Sequence, residues 1–219
     1  MTHLLHIDAS SSAEGSVSKA LAAAYRKVWD AEHPGAKVTY RDLGTDPLPH
    51  LDDDALTAVI TPAESHTEKQ RAAGALRDEL VAELVSADTL LISAPMYNWG
   101  IPSNLKAWID QAFIVGRSLF VGGMPNPLAG RPATVLLAYG GGYGPGAPQE
   151  AWNHADPYLK TAIADGLGFD FAAISAQLTL AGRVPGMDHL TDLAEQSMKE
   201  ALVQTEERAR KVSAGFATA

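Results

Sequence analysis

TLLISAPMYNWGIPSNLKAWIDQAF, residues 89–113, changes its hydrophobic period partway along. TLLISAP is apolar on both faces, the pattern of a strand at the centre of a parallel sheet covered by helices. Leu105, Trp108, Ile109, Ala112 and Phe113 then recur at i, i+3, i+4 spacing, the stripe of an amphipathic helix. Between the two lies a turn bearing Met96, Tyr97, Asn98 and Trp99. Two aromatic rings and an amide are costly to leave on a surface loop, so the turn itself asks for a ligand.

Outward from this stretch, strand and helix keep alternating. LLHIDAS is a short apolar run followed by a helical face of Val17, Leu21, Ala24, Tyr25 and Val28. Residues 36–43 read as a second strand. A Pro- and Asp-rich connection follows, with one short helix near 52–60. Residues 67–86 are helical, with Leu76, Leu80, Leu84 and Ala87 in register. After the opening stretch come a doubly apolar strand, RPATVLLAY, and a helix over 150–165. FDFAAISAQLTL (169–180) reads as a fifth strand, and a long closing helix spans 189–213 with Leu190, Leu193, Met198, Leu202 and Val212. No repeat or low-complexity linker interrupts the chain, so residues 1–219 are expected to form a single domain. Five strands separated by helices predict one doubly wound α/β sheet. Such sheets bind ligands outside the strand carboxyl ends, where strand order reverses. In a flavodoxin-like order 2-1-3-4-5 that place lies between strands 1 and 3, which directs attention to the turns after strands 1, 3 and 4.

Each of those turns is unusual. After strand 1, SSSAEGSVS puts Ser10, Ser16 and Ser18 at the mouth of a helix, whose free N–H groups and partial positive charge suit a phosphate. Ser16 is also a common helix cap, and on this loop alone plain capping is the favoured reading. After strand 3 stands the Met96–Trp99 turn. After strand 4, YGGGYGPG would let backbone approach a flat ligand closely. A phosphate seat with two ring-gripping turns suits a mononucleotide with a planar aromatic head.

Composition removes other classes. The 219 residues carry a net charge of −9 and no basic run, which argues against nucleic-acid backbones and anionic membranes. There is no cysteine, hence no disulfide, thiolate nucleophile or Cys-ligated metal. The seven histidines have no ligand spacing, and His3 and His6 would point to opposite faces of a strand, so no metal is expected. Gly142–Ala147 matches a relaxed dinucleotide-binding pattern, but Pro145 and Pro148 spoil the helix it should open. Ser10–Ser12 has no nucleophile elbow around it. MTHLLHIDASSS is too polar for a signal peptide and no apolar run reaches a membrane span, so a cytoplasmic protein is expected.

SSSAEGSVS, APMYNWGIPSNLKAWID and the Gly-rich turn together resemble the FMN-dependent NADH azoreductase family, flavodoxin-like enzymes that also act as NADH:quinone oxidoreductases. The resemblance runs from HIDASSS to the last helix. It implies FMN as cofactor, NADH as co-substrate, and quinones or azo compounds as acceptors in a ping-pong cycle. It places phosphate contacts at Ser10, Ser16, Val17 and Ser18, and isoalloxazine contacts at Met96, Tyr97, Asn98, Trp99 and the turn Tyr139, Gly140, Gly141 and Gly142. No catalytic side chain is implied. The family often has Phe at Trp99, and a Ser, often followed by Arg, where this chain has Tyr139–Gly140. The resemblance also implies a homodimer, for which Trp108, Phe113, Phe120 and Val121 supply apolar surface. Two other readings of the same fold are an electron carrier without a substrate site and a redox-inactive nucleotide-binding module.

Overall fold

The computed structural model describes residues 2–217; of the domain expected over 1–219, Met1, Thr218 and Ala219 lie outside the described residues. Strands β1 (His3–Asp8), β2 (Lys37–Asp42), β3 (Thr89–Pro95), β4 (Pro132–Ala138) and β5 (Asp170–Ala176) form one parallel sheet in the order β2-β1-β3-β4-β5. This is the expected flavodoxin-like order, with the reversal between β1 and β3. Helices α1 (Val17–Glu32), α2 (Asp53–Ile60), α3 (Glu68–Ser86), α4 (Ser103–Ala112), α5 (Ala155–Lys160) and α6 (Thr191–Ala217) complete the layers.

Period-two alternation divides the core between the two sheet faces. Leu5, Ile7, Leu90, Ile92, Val135 and Leu137 pack against Leu80 and Leu84 of α3, Leu105 and Trp108 of α4, and Leu159 of α5. Leu4, Leu91 and Leu136 point the other way, onto Leu21, Tyr25 and Trp29 of α1 and Ala209 and Val212 of α6. Both faces of β1, β3 and β4 are thus covered, which is why those strands read as continuously apolar. Full burial of one such leucine stabilises the fold by about 1.5–3 kcal/mol.

Several expectations are corrected. The helix predicted over 150–165 is a 3-10 turn at Glu150–Trp152, then α5, then a π-helical turn at Thr161–Gly166. Asn153 Oδ1 accepts from the Ala155 and Asp156 amides at 3.2 Å, and Pro157 suits a first turn but not a helix interior. The helix therefore starts anew after Asn153. The fifth strand stops at Ala176 because Leu178 has φ 60°, a left-handed backbone that no strand continues through. Leu193 is 54% exposed on α6, whereas Trp108 is wholly buried and contributes nothing to an outer surface. No helix among the described residues is long and apolar enough to cross a membrane.

Candidate functional site

The crevice begins where β1 ends. Ala9 N–H donates to the Ser93 carbonyl at 2.8 Å, which keeps the chain on the sheet until Ser10, a buried residue. Residues 11–15 then swing through solvent before Ser16 starts α1. Ser16 Oγ accepts from the Lys19 amide at 3.3 Å and lies 3.3 Å from Ser18 Oγ. Ser16 is therefore a helix cap in this structure, and it also faces a cavity of about 260 Å³. Ser10, Val17 and Ser18 line the same cavity. The first amides of α1 have no intrahelical acceptor and carry the positive end of its dipole, so this is a seat for an anion.

The second wall is the turn after β3. Tyr97 and Gly100 exchange both backbone hydrogen bonds at 3.1 Å, closing a two-residue hairpin. Asn98 (φ 48°) and Trp99 (φ 67°) both take left-handed backbone, the geometry of a type I′ turn. Asn tolerates it, but a bulky Trp is strained there, and such strain collects at ligand sites. The turn is held from outside: the Trp99 carbonyl accepts from His154 N–H at 2.9 Å, and the Trp99 ring meets Trp152 edge-on at 5.6 Å. Met96 and Tyr97 line the cavity, and the Tyr97 hydroxyl reaches the Ser11 amide at 3.3 Å. Asn98 and Trp99 sit in the hairpin but do not line that cavity.

The third wall differs most from expectation. Tyr139 continues the β4 alternation of Val135 and Leu137, so its ring enters the core, 1% exposed. Its hydroxyl accepts from Asn153 Nδ2 at 3.2 Å, while its N–H and carbonyl pair with Ala176 and Thr179. Tyr139 therefore has no group directed at the crevice. Gly140 does line it, and its missing side chain matters: a Cβ there would lie 2.7 Å from Leu180 Cδ1. Gly141 and Gly142 lie beyond the cavity wall. The carbonyls of Gly140 and Gly141 accept from Leu180 and Leu178, and Gln177 Oε1 accepts from Tyr143 and Gly144. Residues 177–180, read as strand from sequence, thus fold back to brace the β4 turn.

That fold-back brings in residues the sequence reading missed: Thr179, Leu180 and Arg183 line the crevice. The strand 5 carboxyl end opens on the same side of a parallel sheet as that of strand 4, which is the sequence signal for these residues. Beneath the crevice lies a second unpredicted feature. Asp8 accepts from Ser93 Oγ, from Tyr40 Oη at 2.8 Å, and from His6 Nε2 at 3.0 Å. Burial pushes the Asp8 carboxyl up, but the His6 hydrogen bond and charge, with the Ser93 and Tyr40 donors, outweigh it and hold it below the ordinary carboxylate range. Burial and the Asp8 carboxylate push the Tyr40 phenol up. The signal was present in HID, two polar residues at i, i+2 on an otherwise apolar strand. Gly44 is also essential to this floor, since a Cβ there would lie 2.0 Å from the Ser10 carbonyl oxygen.

Residues 2–209 match the family model described as flavodoxin-like fold. An FMN-dependent NADH:quinone oxidoreductase of Frankia alni is 44% identical over 197 residues, 90% of this chain and 93% of that protein. A protein of the same name from Streptomyces avermitilis is 41% identical over 218 residues, 99% of this chain and 100% of the relative. The crystal structure of azoreductase from Bacillus anthracis strain Sterne superposes with a TM-score of 0.83 at 22% identity, over 96% of this chain and 100% of the other, which is agreement in fold. The chain belongs to the flavodoxin-like family of the FMN-dependent NADH:quinone oxidoreductases.

Proposed function

We propose that the chain holds FMN in the crevice between β1, β3 and β4 and uses it to carry reducing equivalents from NADH to quinones or azo compounds. One observation carries this reading. Buried hydroxyls of Ser10 and Ser18 and the N-terminus of α1 share a cavity with Met96, Tyr97 and Gly140, so an anion seat adjoins a narrow, partly aromatic cleft. These residues fit FMN: the α1 amides with Ser10, Ser16 and Ser18 would hold its phosphate, and Val17, Met96, Tyr97 and Gly140 would border the rest. Bound there, the cofactor would supply two-electron transfer between NADH and the acceptor. The protein's part is to bind, orient and shield. The α1 amides would neutralise phosphate charge without a lysine, Gly140 lets Leu180 pack closely on the β4 turn, and the Tyr97 hairpin would limit access of water. Asn98, Trp99, Gly141 and Gly142 would act from the margin of the site.

The test is anaerobic. NADH added to the FMN-loaded protein should bleach the flavin absorbance within one turnover time, and quinone should restore it. Because nicotinamide and acceptor would use one crevice in turn, double-reciprocal plots at several quinone concentrations should run parallel. An unbleached flavin would leave the enzyme reading without support. The electron-carrier reading has less in its favour, since a mostly apolar cavity of about 760 Å³, lined by Gly100, Ile101, Ala107, His154 and Tyr158, adjoins the same hairpin.

The working unit we propose is a homodimer. Its support has shifted from that given by sequence: Trp108 is interior, and Phe113 and Phe120 pack partly against their own core. Val121 is exposed, as are Met124 and the paired rings of Trp99 and Trp152, apolar surface of the kind that marks interfaces. Light scattering should give about twice the chain mass of 23.1 kDa; an active monomer would refute this. NADH is a cytoplasmic reductant, which supports a cytoplasmic place of action.

A further inference from the structure

A second concavity, about 420 Å³, opens away from the crevice, between α2, the 61–66 connection, α3 and Arg117. Its walls mix small apolar residues, Ala58, Ala63, Gly74 and Ala75, with the polar Thr61, His66 and Asp78, and Arg71, Arg77 and Arg117 all reach it. Arg77 is the unusual one. It is 4% exposed, and among the described residues no acceptor lies within hydrogen-bonding distance of its buried Nε or Nη1. Arg117 is matched by Asp78, Nη1 to Oδ1 at 2.6 Å, whereas Arg71 Nη1 donates only to the His66 carbonyl. Asp78 is the one carboxylate lining the cavity and Arg117 takes it, so among the described residues neither Arg71 nor Arg77 is ion-paired, in a chain whose net charge is −9.

Burying an unpaired guanidinium is costly, and a sequence retains one more readily when something supplies acceptors in solution. Burial, reinforced by the charge of Arg117, holds the Arg77 guanidinium below its ordinary range, while Asp110 acts from a distance in the opposite direction. Arginine nonetheless stays charged at any physiological pH. A guanidinium presents donors in a planar fork suited to two oxygens of one group. The cavity has room for more than a bare ion, and its small apolar walls suit a compact organic body.

We propose that this concavity is a second anion site, which takes a small phosphorylated metabolite with its phosphate on Arg77 and Arg71. It is separate from the crevice proposed for FMN and does not depend on that assignment.

The probe is inorganic phosphate, added to protein saturated with FMN so that the α1 seat is occupied. Phosphate should raise Tm by about 2–4 °C more than sodium chloride at equal ionic strength. Arg77→Met should abolish the difference, and Arg71→Gln, a change at an exposed position, should weaken phosphate binding about tenfold by calorimetry. The proposal is overturned if phosphate acts no more strongly than chloride, as it would if water or a second protein copy satisfied Arg77. It is equally overturned if Arg77→Met and Arg71→Gln respond like the parent protein. Should Arg77→Met fail to fold, the Arg71→Gln result decides.

Discussion

Replacing Ser16 with Asp should lower FMN affinity by about 100-fold while leaving Tm almost unchanged. Asp caps a helix as well as Ser does, so the bond from the Lys19 amide to residue 16 is kept. A carboxylate at the positive end of α1 is even mildly favourable to the helix. The phosphate, however, then meets a negative charge within the same cavity. Two unit charges 4 Å apart interact by roughly 4 kcal/mol at the effective dielectric near a protein surface. Partial screening brings that toward the ~2.7 kcal/mol that corresponds to 100-fold. Calorimetric titration of the flavin-free protein measures the effect, and added salt should shrink it. Ser16→Asp protein that binds FMN as tightly as the parent would mean that the phosphate lies elsewhere.

A larger effect on the fold itself is expected at Asp8. Removing its carboxylate in Asp8→Ala leaves His6 Nε2, Ser93 Oγ and Tyr40 Oη facing an empty position at the sheet interior. Deleting one member of a buried charged network costs about 3–5 kcal/mol, a large part of a domain's stability. FMN should be lost as well, because Asp8 lies two residues before Ser10. The pH dependence has a definite sign. A carboxyl held below its ordinary value of 3.8 contributes stability that is full above that value and disappears as pH falls through the lower, folded-state value. The stability gap between the parent and Asp8→Asn should therefore be constant from neutral pH down to about pH 5, then close in stronger acid. Denaturant melts at a series of pH values measure it. A gap that persists unchanged to pH 2 would show that Asp8 acts through packing and not through its charge.

Much of this protein was legible before any coordinates. The doubly apolar runs at β1, β3 and β4 can be satisfied only inside a sheet covered on both faces, and the stripes of α1 and α4 supply the cover. Local chemistry also set helix starts such as the Thr67–Gln70 capping box of α3, because a cap needs only residues three apart. The serines before α1 were readable for the same reason.

Where chain segments distant in sequence meet, sequence was silent or misleading. Tyr139 looked like a ring-gripping residue, but alternation along β4 turns it into the core, where Asn153 takes its hydroxyl. QLTL looked like strand, but Leu178 enters left-handed backbone because its amide and those of Thr179 and Leu180 pair with the β4 turn. Arg183 could join the crevice only after that reversal. The Asp8 network draws on three strands, and the Arg77 cavity on two helices and two connections. Period and capping are local properties of a chain, so the sequence alone determined the layers and the main helices. Pairings across 32 to 85 residues depend on register and loop closure, so tertiary structure alone decided which side chains gather at the crevice.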